Sequence, residues 1–388
     1  PPPPHRAPPP GVQVRLLGIF SVIMFRRVTV EDAAQLDARL EAWRELLATF
    51  GLQRPRLCCL LDGRAKAALL YADVVAEGDG QCRLNVSRRR ALWDALPQWE
   101  DAAARLAGAR SAKVFPRFHS PAQGGWEQGE GHGPRKDFFA LVGRQMLHGS
   151  QGSQGQTAEL PALFPYAAEP RHHWFGQSLP EPPDKRQLLR FGGWLMAQAV
   201  CNCATLQVQL PLLLFRKLLA GDDFTPTAAL LAEFDPAAAR SVAAVGKMSE
   251  GEFASLLELD DSPGLSRAQY CALAARRVLV DSVEEQFDAF RAGFDSVLSP
   301  ARLRAAMLTP HQLAIAVCGD GADGDRADFS IREVFRVVME EELQRCAPLR
   351  DALWDVLEAW KPELKRKFIK FVTGSSRIPA AGSEVCQH

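Results

Sequence analysis

A predominantly helical α+β fold is what this sequence predicts, and three observations predict it. Apolar residues recur at helical spacing in block after block of the C-terminal half. Several of these blocks open on a capping residue and close on glycine. Two short stretches, 112–118 and 371–373, are instead rich in aromatic and β-branched residues and read as strands.

Taken in order, residues 1–10 are nearly all proline, an extended tail that cannot build a core. The segment 11–82 is compact but carries no motif. In it, Leu16 to Phe25 reads as a buried strand or short helix, and Leu36, Leu40, Trp43, Leu46 and Leu47 mark a helix that starts at Thr29 or Glu31-Asp32 and ends at Gly51. After the 112–118 strand, Gly129-Glu130-Gly131-His132-Gly133 makes a tight turn that delivers Pro134 to the first position of a helix over 134–146. Phe138, Phe139, Leu141, Val142 and Met146 of that helix belong to the core. A Gly/Ser/Gln-rich loop follows at 149–156.

Further on, Ser282-Val283-Glu284-Glu285 has the pattern of a capping box before the stripe Phe287, Phe290, Phe294, Val297 and Leu298. Thr309 caps a helix with Pro310 at its first position, which continues through Leu313, Ile315, Ala316 and Val317 and closes at Gly319. Asp320 to Asp325 is an acidic turn. Two more stripes, Ile331, Val334, Phe335, Val338 and then Leu349, Leu353, Val356, Leu357, Trp360, are assigned to the core. At the end, Phe371-Val372-Thr373 reads as a strand, Gly374 as a tight turn and Pro379 as its exit.

Composition narrows the class. With 388 residues, 47% of them apolar and 24% charged, the chain is an ordinary globular one of two or three domains. Forty-six basic residues balance forty-six acidic ones, so no global field favours nucleic acid, and Arg88-Arg89-Arg90 and Lys365-Arg366-Lys367 read as solvated faces. The apolar run at Leu16 is half the roughly twenty residues of a membrane span, so none is expected. A start at Pro-Pro-Pro-Pro without Met suggests a fragment or processed product. The cysteines, at 58, 59, 82, 201, 203, 271, 318, 346 and 386, are scattered and never form Cys-x-x-Cys. That argues against a disulfide framework or zinc site and for a reducing, cytoplasmic setting. Cys58-Cys59 and Cys201-Asn202-Cys203 read as core and helix-end residues.

Candidate sites thin out on inspection. The glycines at 129–133 are wrongly spaced for G-x-G-x-x-G, and no Lys-Ser/Thr pair follows, so no nucleotide cofactor is expected. His172-His173 are adjacent, which suits loop or surface histidines better than metal ligands on one helical face. Thr373-Gly374-Ser375-Ser376-Arg377 lacks the second glycine of a nucleophile elbow. No cofactor and no metal are expected, and no internal repeat is present.

Several of these segments, in order, resemble the HECT domain of ubiquitin ligases. Asn85-Val86-Ser87-Arg88-Arg89 is similar to its opening. Gly129 to Phe139, with Arg135-Lys136-Asp137-Phe138-Phe139, resembles its glycine turn and Arg/Lys-Glu/Asp-Phe-Phe helix. Phe191-Gly192-Gly193-Trp194-Leu195, Ala197-Gln198-Ala199 and Leu210-Pro211 ahead of Phe215-Arg216-Lys217-Leu218-Leu219 resemble its long apolar helix, Leu-Pro turn and Phe-x-Lys-Leu-Leu helix. Gln286, Phe290, Gly293 and Phe294 match its Gln…Phe…Gly-Phe helix, and Cys318-Gly319 its Cys-Gly pair. Phe371-Val372-Thr373-Gly374 resembles the segment that opens the second lobe.

The resemblance implies a bilobal fold, with an N-lobe over 83–345 and the beginning of a C-lobe over 346–388, preceded by the 1–10 tail and an 11–82 extension of unassigned role. It implies a transferase that takes ubiquitin from a ubiquitin-conjugating enzyme as a cysteine thioester and passes it to substrate lysines. Its partners would be ubiquitin, the conjugating enzyme and a protein substrate that the sequence does not identify, with no nucleic acid.

Two departures qualify this expectation. Met248 to Tyr270 is short and lacks the strand pair and Gly-Gly turn with which the family docks the conjugating enzyme. The Leu-Pro…Thr-Cys segment bearing the family's thiol is also missing, and Cys386, without the flanking Thr, reads as a terminal cysteine. The catalytic residue is therefore unassigned and this truncated chain is expected to be inactive. The rival reading is a non-catalytic scaffold that keeps the N-lobe fold. The Pro-rich tail has no flanks beyond Arg6 that would mark an SH3- or WW-type ligand.

Overall fold

The structure is a computed structural model and describes residues 66, 70, 80–105, 112–120, 125–127, 132–149, 161–176, 185–202, 204–319, 330–334 and 346–373. Several sequence expectations lie outside them: the 1–10 tail, the Leu16–Phe25 run, the 29–51 helix, Cys58-Cys59, most of the 149–156 loop, the Asp320–Asp325 turn, Phe335, Val338, Gly374 to Pro379 and Cys386.

Strand β1 (Gly80–Ser87) leads into α1 (Ala91–Arg105), and β2 (Ala112–Ser120) returns parallel to β1 before β3 (Gly125–Trp126) adds an antiparallel edge. Alternation gives the sheet two faces: Cys82, Leu84, Val86, Val114 and Phe118 are buried, while Gln81, Arg83, Asn85, Arg117 and His119 point outward. Side chains seal the strand edges. Gln98 of α1 brackets Asn85 with two bonds of 2.8 and 2.7 Å, and Asn202 and Arg135 take up the N–H and C=O of Val114 at 2.9 and 2.8 Å.

Helix α2 (His132–His148) buries Phe138, Phe139, Val142 and Met146 as expected, but it starts before Pro134, which sits in the first turn where a missing N–H costs nothing. The short hairpin β4 (Tyr166–Ala167) and β5 (His172–His173) corrects the histidine assignment. Both rings are half-buried, His173 Nδ1 lies 2.8 Å from the Phe164 carbonyl, and His172 packs on Phe234.

Helix α3 (Lys185–Cys201) is buried along most of its length. It is followed, through Leu210-Pro211, by α4 (Leu212–Ala220), α5 (Ala228–Phe234), α6 (Pro236–Val245), α7 (Glu250–Leu259), α8 (Arg267–Leu279), α9 (Glu284–Asp295), α10 (Pro300–Ala306) and α11 (Pro310–Cys318). Thr309 does close a capping box with Gln312, and Gly319 ends α11 with φ 78°. Ser282 does not cap α9. A turn of 3-10 helix, Asp281–Val283, intervenes and the Ser282 hydroxyl donates back to the Val278 carbonyl at 2.9 Å, an alternative open to any serine near a helix end.

The last elements are α12 (Ile331–Val334), α13 (Ala347–Glu358) and α14 (Pro362–Thr373), and they form a separate small core of Ile331, Leu357 and Ile369 with Trp354, Trp360 and Phe368 packed against it. Two expectations fail here. Leu349, Leu353 and Val356 are exposed, because α13 turns Leu357 and Trp354 inward instead. Phe371, Val372 and Thr373 finish α14 rather than making a strand. Strand preference reflects a half-buried pleated setting, and a helix already running from Pro362 and anchored by Ile369 overrides it.

Candidate functional site

The segments between Asn85 and Gly319 that carry the family resemblance converge on one body. At its sheet end, Arg88 is exposed, as a solvated run predicts, but it is also a hub. Its guanidinium grips both oxygens of Glu127 at 2.8 Å, pairs with Asp137 and lies over the Phe118 ring. The hydrogen bond from Arg88 holds the Glu127 carboxyl below its ordinary range. Gln145 locks the same corner, accepting from Leu92 N and donating to the carbonyls of Arg88 and Arg89. The Asn-Val-Ser-Arg-Arg and Arg-Lys-Asp-Phe-Phe segments are thus bound to one another.

The centre of the body is the crossing of α3 and α9. Gly193 and Gly293 let the helices approach until backbone touches backbone, and Phe290 and Phe294 fill the space beside them. Next to it, Lys217 of α4 is buried. Its ammonium donates to the Leu279 carbonyl at 2.9 Å and faces the Phe287 ring at 4.4 Å. Burial pushes its pKa down to about 8, opposed by Asp288, Glu284 and Asp281. Its place on the apolar face of Phe-Arg-Lys-Leu-Leu could have been read from spacing.

From Ala228 to Leu279 the chain is four helices in succession, joined by Asp235, by residues 246–249 and by residues 260–266. Phe253 and Tyr270 meet edge to face across that connection, with Arg267 over Phe253. No strand occurs among the described residues 204–319.

The thiols divide clearly. Cys82, Cys201 and Cys318 are buried, and burial pushes the Cys201 thiol up to about 12, so it stays protonated and inert. Cys271 is half-buried and donates to the Val242 carbonyl. Cys346, just before α13, is the exposed cysteine among the described residues and makes no cap bond. Among those residues, no group of three or more His, Cys, Asp or Glu could hold a metal, and no helix is long and apolar enough to cross a membrane.

Comparison with known proteins bears out the resemblance. Residues 265–387 match the family model "HECT-domain (ubiquitin-transferase)". Over 64% of the chain, it is 26% identical to the mouse "Probable E3 ubiquitin-protein ligase HECTD2", covering 34% of that protein, and 26% identical to human "Probable E3 ubiquitin-protein ligase HERC4", covering 24%. A shorter match, 32% identical over 117 residues, is to "Probable E3 ubiquitin-protein ligase hulA" of Neosartorya fischeri. The chain therefore spans about a third or less of the length of these relatives.

Proposed function

We propose that the chain is part of a HECT-type ubiquitin ligase, which receives ubiquitin from a conjugating enzyme as a cysteine thioester and transfers it to substrate lysines. The carrying observation is the HECT-domain match over 265–387, which continues through the Phe371-Val372-Thr373-Gly374 segment. The proposed lobes are 83–345 and 346–388; the separate small core of α12 to α14 supports treating the C-terminal end as its own unit, and its Ile331 draws the start of that unit to before 346. Lys66 and Leu70 support an N-lobe that starts before 83, since Leu70 lies in the main core and Lys66 bonds to Met307 and Gln312.

A thioester serves this reaction because a thiolate attacks readily and the product still reacts with an amine. The acceptor must be an accessible thiol, and Cys82, Cys201 and Cys318 are not. Cys346 is exposed but stands just before α13 without the Leu-Pro…Thr-Cys setting of the family's thiol, so the catalytic thiol is proposed to lie outside the described residues, in a segment of that type. The all-helical stretch from α5 to α8 favours recruitment of the conjugating enzyme by a surface other than a strand pair, or a scaffold that does not recruit it.

The test is a ubiquitin-loading assay with activating and conjugating enzymes, run on the 388-residue chain and on the product of the complete transcript. A reductant-labile adduct on the complete product alone is the expected result. An adduct on the 388-residue chain would refute the proposed place of the thiol, and no adduct on either would leave the scaffold reading standing.

A further inference from the structure

The outward face of the β1–β2–β3 sheet carries a basic and aromatic surface that the ligase reading does not use. Arg83 and Asn85 of β1, Arg117 and His119 of β2 and Trp126 of β3 share this face, since their neighbours Cys82, Leu84, Val86 and Phe118 point into the core. The parallel register sets Asn85 beside Arg117, and His119 pairs across to Trp126. Trp126 is 44% exposed, with the Arg117 guanidinium 5.1 Å from its ring centre and His119 edge-on at 5.3 Å.

Arg83 and Arg117 have no carboxylate partner among the described residues. Glu127, which follows Trp126 in the chain, is already held by Nε and Nη2 of Arg88. In a chain of zero net charge this is a local excess of positive charge around an exposed tryptophan. Trp and Arg are the residue types that dominate protein interfaces when clustered, and a face with no acid among the described residues repels basic partners.

We propose that this sheet face docks an acidic segment of a protein partner, with an apolar side chain of the segment against Trp126 and its carboxylates on Arg83 and Arg117. Two arginines, with no extended basic track among the described residues, favour a short acidic peptide over a nucleic acid, which rewards many phosphate contacts.

The test measures binding of the full chain to a fluorescein-labelled peptide of alternating Glu and Leu residues, to the same peptide with Lys for Glu, and to an oligothymidylate of equal length. The expected result is salt-sensitive binding of the acidic peptide alone, weakened roughly tenfold or more by Arg117→Glu and by Trp126→Ala. Both positions are exposed, so each variant should melt within a few degrees of the parent, and Arg144→Glu, exposed on α2, serves as a charge control that leaves binding unchanged. The proposal is overturned by absence of binding, by equal loss in the control variant, or by tighter binding of the oligonucleotide. Because the readout is peptide binding, it stands or falls apart from ubiquitin loading.

Discussion

Gly193 and Gly293 occupy reciprocal positions where α3 crosses α9. A Cβ on Gly193 would lie 1.9 Å from the Phe290 carbonyl oxygen, and a Cβ on Gly293 would lie 1.8 Å from that of Arg190. The obstacle in each case is helix backbone, which cannot rotate away as a side chain would. Gly193→Ala or Gly293→Ala should force the helices apart and cost about 3 kcal/mol, the upper part of the range for overpacking. Gly251, near the start of α7 with nothing within 4 Å of its missing Cβ, is the contrast: Gly251→Ala should raise stability by up to about 1 kcal/mol. Urea unfolding of the three variants checks both signs, and equal effects would show that the crossing is looser than described.

This crossing also shows how far the sequence could be read. The apolar stripes of α3 and α9 are visible from spacing, and so is the oddity of Gly192-Gly193 inside a buried helix. Which helix needs those glycines is a contact about a hundred residues away, and no local pattern names it. Ser282 failed for a related reason: the capping-box residues are present, but a 3-10 turn takes up the serine first. The α13 stripe failed because a period of apolar residues says that a face exists, not that this body covers it. Arg88 is exposed as expected, but its partners, Glu127 and Asp137, are remote in sequence and no local pattern names them. Family wording succeeded where spacing was silent, since it encodes such distant contacts indirectly.

The α10–α11 corner holds a residue in an unfavourable conformation. Met307 ends α10 in the left-handed region, with φ 48° and ψ 39°, where a side chain costs energy that glycine avoids. Its carbonyl accepts from the buried Lys66 ammonium at 2.7 Å, and the same ammonium reaches Gln312 Oε1 at 3.2 Å. Met307→Gly should therefore stabilise by up to about 1 kcal/mol, because the carbonyl contact survives the change. Lys66→Met should destabilise by about 1–3 kcal/mol, because two acceptors lose a charged donor. Thermal denaturation distinguishes them, and loss of stability in Met307→Gly would mean that the methionine side chain outweighs the strain of its backbone.

Lys217 gives a pH dependence with a definite sign. Burial lowers its pKa from 10.5 to about 8, so between those values the unfolded chain holds a proton that the folded chain has released. Stability rises with pH wherever the unfolded state binds more protons, so this group adds stability as pH climbs from about 8 toward 10.5 and adds none of it below. The carboxylates of Asp288, Glu284 and Asp281 oppose the shift without reversing it. In Lys217→Met the Leu279 carbonyl loses its donor, which lowers stability at every pH, but the rise itself should vanish. The gap between parent and variant should thus widen by on the order of 1–3 kcal/mol between pH 7.5 and pH 10, read from urea midpoints at constant ionic strength. A gap that stays constant or narrows would mean that Lys217 keeps its proton in the folded chain and that its carboxylate neighbours outweigh its burial.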